Sequence, residues 1–285
     1  MFSLHRAAVA IALMFWVPLP AAQSVYPTKP IHMVVPLAAG SAVDNAMRIV
    51  TQRMTENMGQ GIVIDNQPGA AGLIGAERVA KAAPDGYTIG GFNDSIMTML
   101  PNLHAKLSWD ILKDFEPVSL VATVEWGLVT SNDSPYRSAA DLIAAAKANP
   151  AKINYGSGGN GSPQHVAMEL FASAAGISLT HVPYKGATQA AVGVAAGEVP
   201  VAFQGLATVA GLAKGGKLRL IAVTTPRRLP QFSEVPTVSE SGLTGFEFNS
   251  WATILAPAGT PREIINDSGV RSAYLGNTFR GDEFG

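Results

Sequence analysis

Apolar positions along the chain follow two alternating rhythms. Short, β-rich apolar runs at residues 31–36, 61–65, 88–92, 152–155, 178–183, 199–203 and 218–224 read as buried strands. Between them lie Ala-rich stretches with helical spacing. Residues 41–58 place Val43, Met47, Val50 and Met54 on one face, and residues 139–148 form a helix closed by Asn149 and Pro150. Residues 68–88 read as a glycine-rich loop, a helix and a Pro-Asp-Gly turn. Residues 118–129 are apolar and β-prone, interrupted by Glu125. Strands alternating with helices predict an α/β fold of parallel sheets with helices on both faces. Neither a repeat nor a low-complexity linker divides the chain. That predicts two packed lobes joined by strands that cross near Trp126 and Asn249. Lobe 1 would be discontinuous, residues 25–126 plus 249–265, and lobe 2 would be residues 127–248.

The N-terminus changes this picture by setting a compartment. His5 and Arg6 precede an apolar run from Ala7 to Val17, followed by Pro18, Pro20 and the small residues Ala21, Ala22 and Ser24. This is the order of a secretory leader, too short for the ~20 residues of a membrane span. Cleavage after Ser24 places Ala22 at −3, so residues 1–24 are expected to be a signal peptide and the product a soluble periplasmic protein.

Composition removes whole classes of function. The chain has 285 residues and a net charge of −1, and only 14% of its residues are charged. No basic field exists to hold nucleic acid. At 47% hydrophobic the chain should fold rather than remain disordered. Cysteine is absent, which removes disulfides, thiol catalysis, Cys-ligated metals and a Cys-linked lipid anchor. No metal and no cofactor are expected.

Three strand-to-helix loops carry the candidate chemistry, because parallel sheets bind ligands beyond the carboxyl ends of their strands. In the first, Ala38, Ala39, Gly40 and Ser41 let backbone N–H groups approach a ligand, and Ser41 and Asp44 form a capping pair. Asp44 could instead order water or meet a positive ligand group; an ordinary helix cap is the plainer alternative. In the second, Gly156, Gly158 and Gly161 match G-x-G-x-x-G. No acidic residue follows between Leu170 and Gly197, so the dinucleotide reading fails, and without G-K-[ST] a Walker loop fails too. What remains is Ser162 as N-cap and Pro163 at N1, a helix start suited to an anion. In the third, Gly186 and Thr188 are cap-type residues, and Lys185 reads as solvated in preference to facing an anion. Catalysis is poorly supported: there is no G-x-S-x-G, no H-E-x-x-H and no cysteine. His32 and His181 read as structural. His165, in the first turn after the glycine loop, is the one histidine placed near a cleft.

These motifs occur in the order YPTKPIHMVVPLAAGSAVD, VIDNQPGAAGLIGAERVAKAAPDGYT, INYGSGGNGSPQH, HVPYKG, KLRLIAVTTPRRLPQFSEVPTVSESGL and LAPAGTP. The chain resembles the Bug-type extracytoplasmic solute receptors, the binding components of tripartite tricarboxylate transporters, from about Tyr26 to about Ile265. The resemblance implies a two-lobed, type II-like periplasmic-binding-protein fold that closes on a small organic acid like a Venus flytrap. It implies no reaction, a monomer, and integral membrane permease subunits as partners. A sensor for a membrane signalling partner and an α/β hydrolase are the competing readings. By motif it implies ligand contacts from Ala38, Ala39, Gly40, Ser41 and Asp44, and from Ser157, Gly158, Gly159, Ser162 and His165. Gly186, Ala187 and Thr188 follow, with Asn93 and Ser95 after the third strand. Phe203 and Gln204 stand where the family often has Phe-Asp, which removes a negative charge near the cleft and favours a more anionic ligand. Family members continue with a long helix after LAPAGTP. Here Thr260, Pro261 and Glu263 announce a helix that Asn266-Asp267-Ser268-Gly269 breaks. Residues 266–285 are therefore expected to be an atypical tail behind a truncation or frameshift, leaving lobe 1 short of helical cover.

Overall fold

A computed structural model describes residues 26–265. The leader, its cleavage point and the tail after Ile265 lie outside the described residues. The chain forms β1 (Ile31–Val35), α1 (Ala42–Met58), β2 (Ile62–Asn66), α2 (Leu73–Ala80), β3 (Thr88–Asn93), a π-helical turn (Ser95–Met99), α3 (Leu100–Leu103) and β4 (Phe115–Val124). After Glu125 come β5 (Trp126–Ser131), α4 (Ala139–Ala148), β6 (Asn154–Ser157), α5 (Pro163–Ala175), β7 (Thr180–Pro183), α6 (Ala187–Ala195), β8 (Val201–Gly205), α7 (Leu206–Lys214) and β9 (Leu218–Val223). β10 (Ser250–Pro257) and the short α8 (Arg262–Ile265) complete it.

Two five-stranded sheets result, ordered β2-β1-β3-β10-β4 and β7-β6-β8-β5-β9. The expectation of purely parallel sheets is corrected. β1, β2 and β3 are parallel, as are β6, β7 and β8. β10 runs antiparallel to β3 and β4, and β5 runs antiparallel to β8 and β9. The cause is the crossing between lobes. β5 and β10 enter their sheets from the hinge, where the parallel strands end, so they must run the opposite way. The apolar run at 118–129 is likewise two strands in different sheets, broken at Glu125.

Local chemistry explains the helix boundaries. Ser41 caps α1 by accepting the Asp44 amide, and Gly59 ends it in the left-handed region at φ 66°. The Val43, Met47 and Met54 face is buried against the first sheet. Ser138 and Asp141 form a reciprocal capping box on α4. Ser162, Pro163 and Gly176 start and stop α5. One apolar cluster runs from Met33 and Met47 in the first lobe to Leu128, Tyr155 and Phe203 in the second. Trp126 and Phe248 sit at the crossing, edge to face with centroids 5.6 Å apart.

Candidate ligand cleft

The parallel strands all end toward the gap between the lobes, so the helices that follow them all begin there. Five helix N-termini line one cleft: Ser41 and Ala42 of α1, Gly72 before α2, Ser162 and Pro163 of α5, Gly186 and Ala187 of α6, and Gly205 before α7. The cleft encloses about 560 Å³, counting its open mouth. Each helix start carries a partial positive charge of roughly half an electron. Among the residues lining the cleft, Lys185 is the one with an ionisable side chain. The electrostatic character is therefore positive and comes mainly from backbone, which suits a small anion.

The lobes touch across this cleft. Thr188 Oγ1 donates to the Ala39 carbonyl at 2.8 Å, and Ser95 Oγ donates to the Gly161 carbonyl at 2.9 Å. The Ala42 amide donates to Thr208 Oγ1 at 2.8 Å. At Gly186 an added Cβ would lie 2.7 Å from the Ala38 Cβ, closer than any real contact, so only glycine permits this approach.

Of the residues expected from sequence, Ala38, Ser41, Asn93, Gly158, Ser162, Gly186 and Ala187 line the cleft. Ala39, Ser95 and Thr188 instead join the lobes, as just described. Gly40 donates its amide to Asp44 at 2.8 Å. Asp44 lies outside the cleft lining. It is 1% exposed and accepts from Gly40, from Asn66 at 2.9 Å and from Arg48 at 2.9 Å. Burial alone would raise its pKa; those hydrogen bonds outweigh the burial and hold the carboxyl below the usual range. Its role is to pin the first loop.

The second loop is pinned from beneath. Ser157 Oγ is paired with His181 Nε2 and receives the Gly159 amide. His165 Nδ1 accepts the Gly161 amide at 3.1 Å, and its ring stacks on His181 with centroids 4.2 Å apart. Tyr155 also stacks on His181, with centroids 4.9 Å apart, and donates to Glu169 at 2.6 Å. His165 therefore holds the loop rather than facing the cleft. Burial lowers the pKa of His165, and burial together with the His165 charge pushes His181 down to about 4. Phe203 and Gln204 are both fully buried in β8 and neither lines the cleft. Phe203 packs edge to face on Phe171, and neither polar atom of Gln204 finds a partner.

Sequence reasoning missed Gly69, Ala71, Gln164, Thr208, Trp126 and Ser250, all of which line the cleft. A signal existed for Thr208, since the 199–203 run followed by Gly205 is a fourth strand-to-helix loop. For Trp126 and Ser250 the signal was the pair of lobe crossings expected near Trp126 and Asn249, since they are the first residues of the two crossing strands. Lys185 was read as solvated; it is exposed, yet lines the cleft mouth. Among the described residues no group of His, Cys, Asp or Glu could hold a metal ion, and no helix is long and apolar enough to cross a membrane.

Two α/β lobes closing on a cleft of helix N-termini define a solute-binding receptor of the periplasmic-binding-protein class. The sequence profile described as "Tripartite tricarboxylate transporter family receptor" matches residues 46–277, and the chain belongs to that family. Its members are binding receptors rather than enzymes. A relative from Pseudomonas sp. (strain P51), the "UPF0065 protein in tcbD-tcbE intergenic region", is 38% identical over 241 residues, spanning 84% of this chain and 71% of that protein. Among solved structures, R. palustris Rpa4515 with adipate is 36% identical, with a TM-score of 0.84 over 87% of this chain and 83% of the other. MatC (Rpa3494) from Rhodopseudomonas palustris with bound malate is 28% identical, with a TM-score of 0.80 over 88% of this chain and 89% of the other.

Proposed function

We propose that the protein is an exported periplasmic receptor that captures a small dicarboxylate between its lobes and delivers it to the permease subunits of a tripartite tricarboxylate-type transporter. The observation that carries this reading is the convergence of five helix N-termini on a cleft that contains one cationic side chain and no anionic one. A dicarboxylate has two charges to satisfy and little apolar surface. Charge-assisted hydrogen bonds from helix-end amides satisfy both without buried arginines. The acids carried by the two R. palustris structures support the same ligand class. Residues 1–24 are the export leader, residues 25–126 plus 249–265 form one lobe, and residues 127–248 form the other. Ser41, Asn93, Gly158, Ser162, Gly186 and Ala187 contact the ligand.

Thermal-shift screening against mono-, di- and tricarboxylates and their neutral analogues tests this. At least one dicarboxylate should raise Tm in a saturable way. A response confined to neutral or cationic solutes would overturn the reading.

A further inference from the structure

Six residues that line the cleft carry a side-chain oxygen: Ser41, Asn93, Ser162, Gln164, Thr208 and Ser250. Five of these oxygens already accept an N–H. Ser41 takes the Asp44 amide, Asn93 the Ile96 amide, Ser162 the His165 amide, Thr208 the Ala42 amide and Ser250 the Trp126 indole. Gln164 is the exception. Among the described residues neither its Oε1 nor its Nε2 has a partner, although the residue is only 4% exposed. It differs from Gln204, whose unpartnered amide is sealed within β8 away from the cleft. A buried carboxamide that opens on an anion site with both ends unpaired asks for an explanation.

Its position supplies one. Gln164 is the second residue of α5. A Cβ added at Gly158 would stand 3.3 Å from Gln164 Oε1 and 3.1 Å from the Ala187 backbone nitrogen. The carboxamide therefore lies against the glycine loop, where the starts of α5 and α6 converge. A ligand carboxylate seated between those two starts meets Gln164 with its own oxygens and with the carbon next to them. A carboxamide has two protons to donate and one oxygen to accept with, whereas an ionised carboxylate only accepts. The carboxylate satisfies Nε2 and offers nothing to Oε1. A hydroxyl on the adjacent carbon satisfies Oε1 by donating to it. An ammonium there would donate as well, but the cleft is already positive from its helix starts and Lys185, and no anionic side chain lines it.

We propose that Gln164 is the specificity-determining residue of the cleft, and that it selects a 2-hydroxy dicarboxylate over the plain dicarboxylate of the same length. Nε2 donates to the carboxylate and Oε1 accepts from the hydroxyl. The plain acid leaves Oε1 unpaired once the lobes close, so the site penalises the analogue as well as rewarding the ligand.

This inference rests on the dicarboxylate reading above. Calorimetric titration of the full chain at neutral pH tests it with three pairs: malate and succinate, 2-hydroxyglutarate and glutarate, 2-hydroxyadipate and adipate. Each hydroxy acid is used as its separate enantiomers. At the chain length that binds best, one enantiomer should bind at least about tenfold tighter than the plain acid. It should also bind tighter than the corresponding 2-amino acid. Gln164→Met keeps the length of the side chain and removes both hydrogen-bonding groups, so the pair should come within about twofold of each other. Loosening of the loop alone would weaken both members alike and leave their ratio unchanged. Gln164→Asn withdraws the carboxamide by one carbon and gives the same readout if the methionine variant does not fold. If the plain acid binds as tightly as its hydroxy partner, or the 2-amino acid binds tightest, the dicarboxylate reading stands and the Gln164 assignment is overturned. A preference that survives substitution of Gln164 overturns it too. If no member of any pair binds, the dicarboxylate reading itself fails and this inference with it.

Discussion

Gly186→Ala is the sharpest probe of lobe closure. Its φ of 172° is extended backbone that any residue adopts, so alanine adds bulk and no backbone strain. The new methyl would sit 2.7 Å from the Ala38 Cβ on the opposite lobe, and 2.9 Å from Gln189 Oε1, a flexible end that can move aside. Ordinary carbon–carbon contact is about 3.5–4.0 Å, so the lobes must separate by roughly 1 Å at this point. The Thr188–Ala39 hydrogen bond, now 2.8 Å, would then stretch past useful length. Losing it removes about 0.5–1.5 kcal/mol from the closed state, and admitting water to the cleft weakens the contacts to the anion as well. Together these amount to about 1–3 kcal/mol, a loss of roughly tenfold to a hundredfold in affinity. The fold of each lobe is untouched, so Tm without ligand should shift by less than about 2 °C. Calorimetry with a binding dicarboxylate measures the affinity, and solution scattering measures the ligand-induced compaction. Wild-type affinity and compaction in Gly186→Ala would refute closure through this contact.

Other perturbations follow from the same geometry. Ser162→Phe should abolish carboxylate binding while far-UV circular dichroism stays unchanged, because the ring fills the start of α5 within the cleft; retained affinity would remove the second loop from the site. Asp44→Ala leaves the Gly40 amide, Asn66 and Arg48 without their shared acceptor, so urea unfolding should show a loss of about 2–4 kcal/mol. His181 has a folded-state pKa of about 4, below its unfolded value, so the folded protein binds fewer protons than the unfolded one. Its stability contribution is full above about pH 6.5 and is lost as pH falls toward 4, at up to about 1.4 kcal/mol per unit. His181→Gln should flatten that part of the Tm–pH curve.

The fold was legible where the information is local. Strands β1, β3 and β9 and helices α1, α4 and α5 fall within a few residues of the positions their spacing predicts, since apolar period and capping residues set both. Strand direction was not legible. Whether β10 runs with or against β3 depends on which lobe the chain arrives from, and the apolar pattern of residues 250–257 is the same either way. The site divides along the same line. Ser41, Ser162 and Gly186 were visible because a helix start needs particular residue types. Asp44 and His165 lie on the expected loops, outside the cleft lining, where hydrogen bonds to Arg48, Asn66 and Gly161 that no local pattern announces hold them. Trp126 and Ser250 begin strands of different sheets and meet at the cleft through one side-chain hydrogen bond between residues 124 positions apart.

A cleft that holds its ligand through helix-end amides must discriminate by charge before shape. The most direct measurement is a calorimetric titration of the full chain with the dicarboxylate that raises Tm most and, in parallel, with its diamide, which has nearly the same length and shape and no charge. The account predicts one-to-one binding of the dianion and at least a hundredfold weaker binding of the diamide, a difference of about 2.7 kcal/mol or more. Equal affinity for the two, or binding of the diamide alone, would contradict it.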